Sequence, residues 1–126
     1  MKRSCLIILW AVIFGVLGPF DAQAQSSYPV RPITLIVPWP PGGSSDTLAR
    51  LVANHLSKDV GQPVIVDHRP GAAGKIGTQA AAALPADGYT IVLANSNTHV
   101  TAIIGDKKLG YSPLGSFDPV SIGTTQ

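Results

Sequence analysis

The stretch Ile33-Thr-Leu-Ile-Val-Pro-Trp-Pro-Pro-Gly-Gly-Ser-Ser-Asp46 joins a short apolar run to a loop of proline, glycine and serine that holds no Lys, Arg, His or Cys. Its first five residues are β-branched or apolar and too few for a helix, which predicts a buried strand over Ile33–Val37. Beyond the loop, Leu48, Leu51, Val52 and Leu56 recur at helical spacing. Ser44 or Ser45 is placed to cap that helix, Asp46 to sit in its first turn, and Gly61 to end it.

The unit then repeats. Pro63-Val-Ile-Val66 reads as a second strand and Arg69-Pro-Gly-Ala-Ala-Gly-Lys-Ile-Gly77 as a second glycine-rich turn. A helix follows over Thr78–Ala83, which Pro85 and the Ala86-Asp-Gly88 turn bring to an end. Tyr89–Ala94 reads as a third strand, followed by the small polar loop Asn95-Ser-Asn-Thr98. Ahead of the first unit, Pro29 and Pro32 make residues 26–32 an extended lead-in. Strands that alternate with helices predict an α/β fold with a parallel sheet and right-handed crossovers. The three loops then share one sheet edge, the carboxyl edge, where ligands bind in open α/β sheets.

The 126-residue chain begins with its own grammar: Lys2 and Arg3, an apolar run from Cys5 to Leu17, a Gly18-Pro19 break and Ala22-Gln-Ala24. These are the parts of a secretory signal peptide over residues 1–24, cleaved after Ala24. The apolar run is shorter than the roughly 20 residues a membrane-spanning helix needs, so no membrane insertion is expected after cleavage. Residues 25–126 would keep seven of the nine basic and six of the seven acidic residues, a net charge of +1 without a Lys/Arg run. Nucleic acid is therefore not an expected partner. Cys5 is the one cysteine, so the exported chain would rely on a packed core rather than on disulfides.

Phosphate-binding readings of the glycine loops fail on spacing. Gly71-Ala-Ala-Gly74-Lys75-Ile76 lacks the four residues between glycines and the Ser or Thr after lysine that a P-loop needs, and it also misses the dinucleotide pattern. Ser44, Ser45 and Ser96 are nominal nucleophiles with His55, His68 and His99 as nominal bases, but no nucleophile elbow surrounds them and helix capping accounts for the serines. His68 and His99 read as loop residues. The three scattered histidines, without glutamate or a cysteine beyond Cys5, offer no metal-ligand spacing. No catalytic residue, metal or cofactor is expected.

What remains is anion capture without a cationic side chain. The first helix presents unpaired N–H groups and a positive dipole end just after Gly42-Gly43, with Ser44, Ser45 and Thr47 adding hydroxyls. Gly71 and Gly74 precede a second helix start of the same design. Pro40-Pro41 stiffen the first loop above Trp39, which lowers the ordering cost of binding.

Tyr28 to Arg50, Gly61-Gln-Pro-Val-Ile-Val66, Arg69-Pro-Gly-Ala-Ala-Gly74 and Asp87-Gly-Tyr-Thr90 together resemble the tripartite tricarboxylate transporter substrate-binding proteins, the Bug or TctC-like family of periplasmic receptors. The resemblance implies a two-lobed binding protein that closes on a small carboxylate and delivers it to the membrane components of a tripartite tricarboxylate transporter. It implies three ligand loops: Trp39 to Thr47 (with Pro41, Gly42, Gly43, Ser44, Ser45 and Asp46), Pro70 to Gly74 (with Gly71, Ala72 and Ala73), and Asn95 to Thr98 (with Ser96). Asp67-His68 departs from the family's usual acidic residue and asparagine before Arg-Pro-Gly, and Val100–Gly105 departs from its Asn-Pro-containing helix. Family members are much longer, so the resemblance implies that residues 25–126 are part of the first lobe, an amino-terminal fragment ending in a strand near Asp118–Gln126. A secreted serine hydrolase and a non-functional fragment are the alternative readings.

Overall fold

The computed structural model describes residues 28–105 and 109–123; the expected signal peptide lies outside them. Three parallel strands, β1 (Ile33–Val37), β2 (Val64–His68) and β3 (Thr90–Val92), form one sheet in the order β2-β1-β3. Helix α1 (Ser44–Val60) connects β1 to β2, and helix α2 (Lys75–Ala82) connects β2 to β3. A five-residue π turn, Asn97–Thr101, runs into the short helix α3 (Ala102–Gly105). Among the described residues no helix is long and apolar enough to cross a membrane.

The centre of the sheet is the strand the sequence marked. In β1, Ile33, Leu35, Ile36 and Val37 are all buried, and β1 pairs with β2 from Ile33 opposite Val64 to Val37 opposite His68. Each such side chain removed from water is worth about 1.5 to 3 kcal/mol, which makes β1 the strand the rest assembles on. Leu35 and Val37 pack with Ala49 and Ala53 of α1, and Trp39, Val64, Val66, Ile91 and Leu93 surround that cluster.

Helix α1 meets the sheet through a different stripe from the expected one. Ala49 and Ala53 face the core, whereas Leu51 and Val52 are exposed and Leu48 and Leu56 are half-buried. Small residues let the helix axis approach the sheet closely, and a leucine stripe in the same place would hold it off. The expected end is as predicted: Gly61 takes the left-handed conformation, φ 70°, and its N–H donates to the Ser57 carbonyl at 3.1 Å.

Other boundaries move by a few residues. Strand β2 continues through Asp67 to His68, α2 starts at Lys75 rather than Thr78, and β3 is limited to Thr90–Val92. His68 is thus a strand residue and not a loop residue. Around Asp118 the described segment 117–123 has no regular structure, with Val120 and Ile122 exposed, so among the described residues the strand expected near Asp118–Gln126 is not seen. The three-stranded sheet does not include it, and an extended segment outside a sheet has no ladder to stabilise it.

Candidate functional site

The strand order decides where a ligand can enter. The chain leaves β1 towards β2 and returns past it to β3, so right-handed crossovers put α1 and α2 on opposite faces of the sheet. Consistently, α1 packs on β1 and β2, and α2 on β1 and β3. The loops after β1 and β3 therefore diverge, and a crevice opens between them at the topological switch point. A cleft of about 430 Å³ occupies that place, lined by Trp39, Ser44, Ser45, Leu48, Leu93, Ala94 and Asn95.

At the start of α1 the N-cap is Gly43, φ −91° and ψ −179°, and neither Ser44 nor Ser45 caps the helix as expected. Both serines fall inside the first turn instead. The amides of Asp46 and Thr47 donate to the Gly43 carbonyl, each at 3.1 Å, and the Thr47 hydroxyl turns to the same carbonyl at 3.3 Å. The amides and hydroxyls of Ser44 and Ser45 have no protein partner among the described residues, and both residues line the cleft.

Asp46 does not face the cleft as a ligand group. It is 7% exposed and accepts the Gly42 amide at 2.8 Å on Oδ2 and the Arg50 Nε–H at 2.8 Å on Oδ1. His68 Nε2 approaches the same Oδ1 at 3.1 Å, while His68 Nδ1–H donates to the Trp39 carbonyl at 2.9 Å. The Gly42 amide does most to hold the Asp46 carboxyl below its ordinary value of 3.8; burial opposes this, and Arg50 and then His68 add to it. Arg50 is a cation beside the loop, yet it is spent on Asp46 and does not line the cleft.

The other two loops meet the first through one glycine. Gly71, Ala72, Ala73 and Gly74 all have positive φ, at 137°, 47°, 56° and 92°, a strained run for the two alanines. A Cβ at Gly74 would stand 2.8 Å from Thr98 Cγ2 and 3.3 Å from the Trp39 ring. Loops one, two and three are thus packed against each other at Trp39, Gly74 and Thr98. The Thr78 hydroxyl donates to the Gly74 carbonyl at 2.9 Å and fixes the junction from below.

In the third loop Asn95 is the organiser. Its Oδ1 accepts the amides of Asn97 and Thr98 at 2.9 and 3.3 Å. Thr98 is fully buried, its hydroxyl donates to the Asn95 carbonyl at 3.1 Å, and the Tyr111 hydroxyl donates to the Thr98 carbonyl at 2.6 Å. Burial lowers the pKa of the nearby His99 and raises that of Tyr111.

Of the residues singled out from sequence, the structure brings Trp39, Ser44, Ser45 and Asn95 together around the cleft. Gly74 and Thr98 support it from behind. Pro41, Gly42, Gly43, Thr47, Ala72, Ala73 and Ser96 are exposed, and Gly71 is half-buried; none of them lines it. Sequence reasoning missed the apolar wall of Leu48, Leu93 and Ala94. Leu48 lies one helical turn beyond Ser44 and Ser45, so its spacing carried a signal that was read as core.

The family described as the tripartite tricarboxylate transporter family receptor matches residues 48–125 of the chain. Protein BugT of Bordetella pertussis is 43% identical over 123 residues, which span 97% of this chain and 38% of BugT. The solved structure of the periplasmic binding protein BugD is 39% identical and superposes with a TM-score of 0.70 over 73% of this chain and 30% of BugD. MatC from Rhodopseudomonas palustris with bound malate is 36% identical, with a TM-score of 0.70 over 74% of this chain and 32% of MatC. The chain spans about a third of the length of these relatives.

Proposed function

Because the chain belongs to the tripartite tricarboxylate transporter family of receptors, we propose that its cleft captures a small carboxylate in the periplasm for delivery to the membrane components of such a transporter. The observation that carries this reading is the cleft's chemistry. Unpartnered amides and hydroxyls of Ser44 and Ser45 stand at the positive end of a 17-residue helix, and no cationic side chain is in the lining. Such a site binds an anion through aligned N–H groups, while Trp39, Leu48 and Leu93 contact the ligand's carbon skeleton. A relative that holds malate supports a hydroxy-dicarboxylate as the first ligand to try. Residues 1–24 serve as the export signal, and residues 25–126 supply one lobe's binding wall.

The hydrolase reading is weakened by geometry. His68 directs its two ring nitrogens at Asp46 and Trp39, His99 directs Nδ1 at Thr98, and among the described residues no histidine is hydrogen-bonded to the hydroxyl of Ser44 or Ser45. Calorimetric titration with malate and with an uncharged polyol of similar size tests the proposal, alongside a p-nitrophenyl ester assay. Saturable heat for malate alone is expected. Equal responses to both titrants, or serine-dependent ester turnover, would overturn it.

A further inference from the structure

His68 is placed where a single side chain joins three elements. It ends β2, its Nδ1 lies 2.9 Å from the Trp39 carbonyl in the loop after β1, and its Nε2 lies 3.1 Å from Asp46 Oδ1 in the first turn of α1. Its side chain is 16% exposed and that of Asp46 is 10% exposed, so water competes poorly for either contact. Both partners are acceptors. Neither a carbonyl oxygen nor a carboxylate can donate, so both hydrogen bonds form together only in the doubly protonated ring, and a ring with one hydrogen sets a lone pair against one of the two acceptors.

We propose that His68 is a positioning residue of the carboxylate cleft: in its doubly protonated form it clamps the Trp39 carbonyl to Asp46 and so sets the turn that presents Ser44 and Ser45. Carboxylate capture weakens when the ring loses its second proton. The proposal rests on the reading of the cleft as a carboxylate site, but its mechanical half does not. The Asp46 carboxylate that His68 grips also accepts the Gly42 amide at 2.8 Å, so loosening one end of the clamp frees the backbone immediately before the ligand-facing turn. The charged groups facing His68 are few. From α1 come Asp46 and, through the shared Oδ1, Arg50 at 2.8 Å; from its own strand and the residue after it, Asp67 and Arg69 pair with each other at 2.8 Å. Arg50 alone cannot hold the geometry, because it touches the carboxylate and does not reach the Trp39 carbonyl.

A ring whose two contacts need two hydrogens gives the clamp a pH readout that a static packing role would lack. In the full chain, the His68 ring nitrogen shifts and the exchange protection of the Gly42 amide, corrected for intrinsic rate, are followed by NMR from pH 6.0 to 8.0. Protection falls at least fivefold in step with the ring titration, and in His68→Asn and His68→Gln it does not change with pH. Malate, whose carboxylates stay ionised over this range, binds at least fivefold more weakly at pH 8.0 than at pH 6.0 in the parent chain and equally at both in His68→Asn. A ring that titrates while Gly42 protection stays constant would overturn the proposal without needing any variant. If Gly42 follows the ring but malate binds at neither pH, the clamp is upheld and the carboxylate reading is what fails.

Discussion

The Gly42 amide donates to the Asp46 carboxylate at 2.8 Å, so the acidic residue at the helix start closes the loop on itself and does not reach towards a ligand. The proposed anion site can thus carry an aspartate in its first turn. The negative charge is engaged by Gly42, Arg50 and His68, and the serine amides beside it remain available.

The ordinary carboxyl value of Asp46, 3.8, is lowered in the fold, chiefly by the Gly42 amide. A group whose folded value is depressed stabilises the fold at pH values above its unfolded value and loses that contribution as pH falls through the folded one. Acidification below about pH 4 should therefore lower the thermal midpoint of the parent chain, and Asp46→Asn should flatten that part of the curve. Circular dichroism melts between pH 6 and 3 check it, and parallel curves for both proteins would contradict it.

Two glycines separate folding from binding. Gly74, at φ 92° and packed against Thr98 and Trp39, has no room for a Cβ, so Gly74→Ala should destabilise by about 1 to 3 kcal/mol. Gly43 has extended backbone and open space around it, so Gly43→Val should melt near the parent temperature yet weaken malate by blocking approach to the turn. Melting curves with malate titrations decide this, and a large loss of stability in Gly43→Val would contradict it.

Removing one donor from the cleft should have a modest cost. Ser45→Ala should weaken malate by about 0.5 to 1.5 kcal/mol, the net worth of a typical hydrogen bond. The change should leave the melting temperature alone, because Ser45 does not cap α1. Calorimetry and melting on the same preparation test both halves.

Export should leave an amino terminus at or near Gln25, given the basic start, apolar run and Ala22-Gln-Ala24. Mass spectrometry of periplasmic material from an expressing host reads this directly, and a product that retains Met1 would contradict it.

Much of this arrangement was legible in the sequence because composition and spacing act locally. The Ile33–Val37 run announced the central strand, Gly61 announced the end of α1, and small-residue loops at strand ends announced the sheet edge at which the cleft opens. The parts that were not legible depend on partners distant in sequence. Ala49 and Ala53, not the leucines, face the sheet because closeness of approach decides the packing face, and a periodicity count weighs leucine above alanine. Gly43 took the N-cap because the side chain of the residue before the helix is immaterial when Asp46 binds Gly42 from within the first turn. The link from His68 to Asp46 joins β2 to α1 across 22 residues, and no local pattern carries it.

The most direct test of the central claim, that backbone amides and hydroxyls at the start of α1 receive a carboxylate, is a malate titration of the isotope-labelled full chain followed by amide NMR. Saturable shifts should concentrate at Ser44, Ser45 and Asn95, with little change at Arg50 and Asn54, which border a separate depression of about 270 Å³. Shifts confined to Arg50 and its neighbours, or spread evenly over the basic residues, would contradict the account.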